Sequence, residues 1–323
     1  MKKVLIIGGG GYVGTPLCQH LADQEYEVTS LDTFWFGNHH GPRIKSIHYD
    51  ICDSISNKLP INLDEYETVI FLAAISNDPS AELSHEITKN INDIATKRMI
   101  DLIDQSQVKR LIYASSSSIY GIKEEEKVTE ELPAAPLTLY SQLKYDIEKY
   151  LQKIKNTDYV IIRPATVFGP SPRLRLDVVV NILTAHALYN RKIKVFGGSQ
   201  YRPNIYIDDI VNFYGQLVEW KNELKGEIFN FGGPNYQVKE LAHFVQEKCP
   251  FETIIETIPS DDDRSYRVSS EKALNYFSID KLTDMQEGIG NLFQYLQKEV
   301  SDWKNPQYSN MSHLKKILQT PRK

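Results

Sequence analysis

Lys3-Val-Leu-Ile-Ile7 runs directly into Gly8-Gly-Gly-Gly11-Tyr12-Val13-Gly14, and Thr15 to Ala22 then reads as the opening of a helix. The apolar run predicts a buried strand, the glycines a tight turn, and the three together a phosphate cradle. Glycines permit positive φ, and a missing Cβ lets backbone touch a pyrophosphate. The last glycine lets the helix pack close to the strand with its positive end facing the anion. Gly8-x-x-Gly11-x-x-Gly14 also contains Gly9-x-Gly11-x-x-Gly14, the general dinucleotide fingerprint. Glycines mark ordinary turns too; the strand before and the helix after distinguish this one.

Tyr26 to Leu31 reads as a second strand and ends in Asp32, eighteen residues past Gly14. A carboxylate at that tip reaches the hydroxyls of an adenosine ribose and repels a 2′-phosphate. Neither Thr33 nor Phe34 offers a cation to receive such a phosphate. NAD is therefore expected rather than NADP.

At 323 residues, the chain is long enough for one large or two modest domains. Its net charge of −5 argues against a nucleic-acid partner, which needs a concentrated basic face. No apolar run approaches a membrane span, and the N-terminus lacks the layout of a signal peptide. Cys18, Cys52 and Cys249 are unclustered and read as packing residues in a reducing cytoplasm. Neither His-Glu-x-x-His nor Cys-x-x-Cys occurs, so no metal site is expected.

Strands at Val4–Ile7, Glu27–Leu31, Thr68–Leu72, Arg110–Ala114 and Tyr159–Pro164 alternate with helical stretches such as Glu86–Gln105 and Leu139–Ile154. That alternation predicts an α/β fold with a Rossmann-type, doubly wound parallel sheet. The pattern breaks at Gly169-Pro-Ser-Pro172. Residues 1–168 are expected to form the NAD-binding domain, with the strand and helix of 204–224 returning to it. Residues 169–203 and 225–323 are expected to form a smaller C-terminal α/β substrate-binding domain. Its tail, from Trp303, is expected to be loosely ordered or to wrap a partner subunit.

Tyr140-Ser-Gln-Leu-Lys144 opens a predicted helix, which puts the two side chains on one face. An ammonium beside a phenol favours the phenolate, lowering the tyrosine pKa so that it can take a proton from a sugar hydroxyl. Tyr145 and Lys149 satisfy the same spacing. Context selects the first pair, because the fourth strand ends in Ser115-Ser-Ser-Ser118-Ile-Tyr120-Gly121, where ligands bind in such sheets.

Together these features resemble the extended short-chain dehydrogenase/reductases of the NAD-dependent epimerase/dehydratase family, which includes the UDP-galactose 4-epimerases. The shared residues also include Asp50-Ile51, Leu72-Ala73-Ala74, Asn92, Arg163-Pro164 and Phe168-Gly169. The resemblance implies that Asp50 and Ile51 hold the adenine and that Lys144 grips the nicotinamide ribose. It adds Tyr12, Val13, Thr33, Leu72, Ala73, Ala74 and Asn92 to the cofactor contacts. It places the catalytic serine at Ser116, beside Tyr140 and Lys144. For the substrate, a nucleotide-diphosphate sugar, it implies Ser76, Ser118, Thr166, Arg175, Asn181, Arg202, Asn204 and Arg264. Arg202 and Arg264 would face the diphosphate; Pro203 departs from the usual acidic residue. Homodimer pairing through Glu86–Gln105 and Leu139–Ile154 is implied as well.

The chemistry expected is epimerisation by transient oxidation at C4. Ser117 and Ser118 stand where the family's 4,6-dehydratases carry Asp-Glu, so elimination of water is not expected. Pro170 to Asn181, with Arg173, Arg175 and Asp177, resembles nucleotide-heptose 4-dehydrogenases instead, which keeps a dehydrogenase or ketoreductase outcome open. A non-catalytic NAD-binding regulator is the third reading; retention of Tyr140 and Lys144 speaks against it.

Overall fold

The structure, a computed structural model, describes residues 2–53, 59–260 and 265–319. Strand β1 (Lys3–Ile7) shows why the chain forms a sheet covered on both sides. Val4 and Ile6 pack in one layer with Leu17 and Leu21, while Leu5 and Ile7 pack in the other with Met99 and Ile100. Successive strand residues face opposite ways, so a run with no polar residue must bury both faces.

β1 lies between β2 (Glu27–Asp32) and β4 (Thr68–Phe71), with β3 (Lys45–His48) outside β2. Beyond β4 follow β5 (Arg110–Ala114), β6 (Asp158–Pro164) and, after β7 (Thr166–Phe168), β8 (Lys192–Phe196) and β9 (Tyr201–Tyr206), the strand β10 (Glu227–Phe231). The large sheet has seven parallel strands in the order β10-β6-β5-β4-β1-β2-β3. The chain winds outward from β1 one way and then restarts at β4 the other way. A crevice opens where that order reverses, at the C-terminal ends of β1 and β4.

Helices α1 (Gly14–Asp23), α2 (Asp78–Ala81), α3 (His85–Lys89), α4 (Thr96–Asp104) and α5 (Leu139–Leu151) belong to this half. A π turn at Asn90–Ala95 joins α3 to α4, so the stretch read as one helix is broken in register. Then come α6 (Val179–Asn190), α7 (Ile207–Glu219), α8 (Val238–Lys248), α9 (Glu271–Tyr276), α10 (Met285–Glu299) and α11 (Asn310–Gln319). No helix among the described residues is long and apolar enough to cross a membrane.

Two expectations are corrected. β9 does not return to the large sheet: it pairs with β7 and with β11 (Asn235–Gln237) in a three-stranded sheet. The strand that returns is β10, beside β6. The helix α7 packs on α1, where a Cβ on Gly215 would come within 2.7 Å of the His20 ring. Strand periodicity shows which faces are buried but not which edge a strand joins. The tail is the second correction. α11 folds onto its own chain, with Leu314 only 3% exposed and His313 Nε2 2.7 Å from the Trp35 carbonyl.

The C-terminal half adds a parallel pair, β8 with β12 (Ile254–Ile258), under α6 and α8. Leu183, Leu241 and Ile289 there share one apolar cluster with Leu17 and Leu217. One continuous core thus sets the substrate-side elements against the open ends of β1 and β4.

Candidate active site

The glycine turn is shaped by contacts that no side chain survives. Gly8 sits at φ +90°, and a Cβ there would lie 2.4 Å from the Ala73 amide nitrogen. At Gly14 a Cβ would lie 2.5 Å from the Gly8 carbonyl oxygen, so α1 can follow the strand this closely only without one. Gly11 differs: its Cβ would meet only the Gly8 oxygen, at 3.3 Å, so open space lies on that side of the turn. Val13 supplies no side-chain cap to α1, Thr15 N is bonded to the Gly11 carbonyl and Pro16 has no N–H, which leaves the Gly14 amide at the helix start for an anion.

This turn lines a cleft of about 510 Å³. Gly8, Gly11, Tyr12, Val13 and Gly14 contribute from β1–α1, Asp32 and Thr33 from the end of β2, Asp50 and Ile51 from beyond β3, and Leu72, Ala73 and Ala74 from beyond β4. Asp32 accepts from the amides of Gly10 (2.9 Å) and Phe34 (2.7 Å). Burial pushes its carboxyl pKa up, and those two amides oppose the shift. Asn92 does not line the cleft, correcting the expected contact. It is buried behind the loop, accepting from Ile75 N at 2.8 Å and donating to Ile75 O at 3.0 Å. Its amide is spent holding the loop that follows Ala74.

Thr138 and Ser141 form a reciprocal cap at the start of α5. This fixes Tyr140 in the first turn and Lys144 one turn later, both on the cleft. Ser116 lines the cleft with them. Lys144 Nζ donates to the Ala114 carbonyl at 2.7 Å and lies 4.9 Å from the centre of the Tyr113 ring. Burial pushes the Tyr140 phenol up to about 12, Asp78 adds to the rise, and the nearby Ser116 hydroxyl and Arg175 oppose it. Burial also lowers Lys144 to about 7. The expected direction is therefore corrected. The lysine's bond goes to Ala114 and its own charge is disfavoured, so desolvation outweighs any support it gives the phenolate. Tyr145 and Lys149 line no part of the cleft; Lys149 stacks over the Tyr145 ring at 4.6 Å and pairs with Asp146 at 2.6 Å.

The four serines divide their roles. Ser115 donates to Glu148, which pairs with Arg163 at 2.7 Å; Arg163 in turn donates to the Tyr120 hydroxyl at 2.7 Å. This buried network fixes the end of β5 from behind. Ser117 is buried, 3.4 Å from the Tyr266 hydroxyl. Ser116 accepts from Ser118 N at 3.1 Å and shares a 2.9 Å bond with the Ser118 hydroxyl.

Of the residues expected to meet substrate, Ser76, Ser118, Thr166, Arg175 and Arg202 line the cleft. Asn181 and Asn204 do not. Asn181 is fully buried, donating to the Arg175 carbonyl at 2.7 Å and the Tyr12 hydroxyl at 3.0 Å. Asn204 is 1% exposed and donates to the Arg202 carbonyl at 2.8 Å. Each holds a cleft residue's backbone rather than facing the cleft. Arg264 lies outside the described residues.

Asp78, Tyr266 and Asn310 also line the cleft, none of them given a role from sequence, as do Arg173 and Asp177, which stood there only within the heptose-enzyme-like segment. Arg175 Nε donates to Asp177 at 2.8 Å. Among the described residues, Arg175 Nη2 and Arg173 Nε are buried without partners. Buried cationic donors left unspent, an uncapped helix end and the open space beside Gly11 fit a ligand bearing a diphosphate, as NAD does. Asp32 would hold its adenosine ribose, and Tyr140 and Lys144 its nicotinamide end.

Known proteins agree with this architecture. The sequence model of the NAD dependent epimerase/dehydratase family matches residues 4–232. A putative UDP-glucose 4-epimerase of Methanocaldococcus jannaschii is 27% identical over 77% of this chain and 83% of its own. UDP-glucuronic acid decarboxylase 1 of Danio rerio is 26% identical over 95% of this chain and 75% of its own. Among solved structures, UDP-glucose 4-epimerase of Thermotoga maritima with UDP-glucose superposes with a TM-score of 0.82. It is 23% identical, over 92% of this chain and 99% of that one. A family model covering most of the chain accords with the glycine turn, the Asp32 strand end and the Tyr140–Lys144 helix. The chain belongs to the NAD-dependent epimerase/dehydratase family, and its cofactor is NAD.

Proposed function

We propose that this protein is a nucleotide-sugar epimerase that acts by transient oxidation of the sugar at C4. The observation that carries this reading is the convergence of Ser116, from the end of β5, with Tyr140 and Lys144, one helical turn apart on α5, in one cleft. When bound, NAD accepts a hydride from C4 and supplies one back. Tyr140 takes the proton of the C4 hydroxyl and later returns it. Ser116 donates to the same oxygen and steadies it as it becomes a carbonyl. The nearby Ser116 hydroxyl and Arg175 both favour the phenolate against burial. Lys144, anchored on Ala114, is placed to hold the nicotinamide ribose.

Elimination of water needs a second acid/base pair, and Ser117 and Ser118 cannot supply it. A 4-dehydrogenase or 4-ketoreductase, acting for example on a GDP-heptose, is the second reading. It is favoured by Arg173 and Arg175, which the heptose-enzyme-like segment brings to the cleft. The named activities of the Methanocaldococcus and Thermotoga proteins support a UDP-sugar 4-epimerase in general. We place the protein in the cytoplasm, on the reading that its three unclustered cysteines are packing residues of a reducing compartment. We also propose a homodimer through the α3–α4 stretch and α5, where Ile94 is 61% exposed. Light scattering that reports a monomer at micromolar concentration refutes the dimer.

The activity is tested by incubating the protein with UDP-, GDP-, CDP- and dTDP-sugars in deuterated water and analysing the products by mass spectrometry. Unchanged mass with a new retention time supports epimerisation. Loss of two hydrogens selects the dehydrogenase reading, and loss of water contradicts both.

A further inference from the structure

Arg173 stands on the cleft with 4% of its surface exposed, its guanidinium 3.8 Å from the centre of the Phe36 ring. Nη2 donates to Asn310 Oδ1, Nη1 makes a long 3.4 Å bond to the Leu174 carbonyl, and Nε has no partner among the described residues. Burial lowers its pKa to about 9, and Arg175 lowers it further; Asp177, Tyr12 and Asp32 act against them. Tyr12 and Asp32 belong to the glycine-turn side of the cleft, where the dinucleotide sits. A buried cation with an unspent donor is costly unless an anion meets it.

Asn310 holds this arrangement together from the far end of the chain. Besides accepting from Arg173, it donates from Nδ2 to Ser76 Oγ at 2.9 Å and from its amide to Asp177 Oδ2 at 2.7 Å. The other Asp177 oxygen holds Arg175. One residue of α11 therefore links both arginines to the loop after β4. The helix is seated by buried Leu314 and by the His313 ring, 4.9 Å from Phe36. The large sheet is complete without α11, so this placement serves the cleft.

We propose that α11 is a built part of the dinucleotide site, with Asn310 as a positioning residue that holds Arg173 toward the diphosphate of NAD. The inference rests on NAD as the cofactor and not on the sugar chemistry. Binding measured without any sugar therefore separates its failure from that of the proposed function.

The experiment is calorimetric titration of NAD-stripped protein with NAD, ADP-ribose and adenosine, for the wild type, Arg173→Met, Arg173→Lys, Asn310→Ala and the Arg173→Met/Asn310→Ala double variant. Arg173→Met should weaken NAD and ADP-ribose by roughly ten- to a hundredfold, the worth of bonds to a charged group, and leave adenosine unchanged. Arg173→Lys should recover part of the loss. Asn310→Ala should weaken the same two ligands by roughly tenfold and add almost nothing to Arg173→Met, since the two act as one unit. Equal weakening of adenosine, full additivity in the double variant, or unchanged affinity in Asn310→Ala overturns the proposal. If Asn310→Ala does not fold, Arg173→Met carries the test, because unchanged affinity for ADP-ribose there overturns it alone.

Discussion

The wall of the cleft made by residues 8–14 and the wall made by residues 173–177 with Asn310 meet a ligand by different means. The first is local and made of backbone: a strand end, a turn with five glycines and an uncapped helix, all within one short segment. The second is made of side chains held by long-range bonds, such as Arg173 to Asn310 across 137 residues and Asn310 to Ser76 across 234. Backbone cradles tolerate almost no substitution and carry a readable motif. Side-chain clasps can change with the substrate a relative must hold and leave little pattern behind. Shared chemistry sits on the first wall and α5, and the second is expected to vary between relatives even where it faces the dinucleotide.

That contrast can be broken first at its support. Arg163 and Glu148 are 5% and 2% exposed and brace the end of β5 behind the catalytic serines. Arg163→Met leaves Glu148 buried without its partner and should cost about 3–5 kcal/mol of stability, measured by denaturant unfolding. A loss within experimental error would mean that the network is not structural. Gly8→Ala tests the backbone wall. The clash with Ala73 and the positive φ should together weaken NAD by more than about a hundredfold; titration near wild-type affinity would show that the turn does not shape the site.

Asp32→Ala should narrow the preference for NAD over NADP by roughly ten- to a hundredfold, since it removes charged-group bonds to the ribose and the repulsion of a 2′-phosphate. Equal affinity for both dinucleotides in the unmodified protein would contradict that role. The last effect is a pH slope. Lys144 has a folded pKa near 7, below the usual 10.5, so the unfolded chain holds more protons between those values. The stability of wild type relative to Lys144→Met should rise as pH rises through that window and level off below it. A flat difference would place the ammonium in a better-solvated position.

The sheet and the cofactor half were legible because their signals are local. Val4 to Ile7 shows burial on two faces, Gly8 to Gly14 requires a turn, and Asp32 follows at a fixed distance. The Tyr140–Lys144 pair was legible only through its neighbours, since Tyr145 and Lys149 share its spacing. The serine run was ambiguous because sequence does not show that Ser115 turns to Glu148 and Ser117 to Tyr266. Asn92, Asn181 and Asn204 were read as ligand contacts, yet each spends its amide on a loop backbone. A buried asparagine satisfies neighbours that sequence cannot identify. β9 was misassigned because edge pairing depends on partners far along the chain, and Asn310 had no local signal at all.

The central claim is that Tyr140 moves the proton while the sugar is oxidised at C4. Tyr140→Phe removes only the ionisable oxygen. Measured on the nucleotide sugar that the wild type converts, its turnover should fall by a factor of roughly 10² to 10⁴, while its affinity for NAD stays within a few-fold of wild type. Full turnover in Tyr140→Phe would contradict the account.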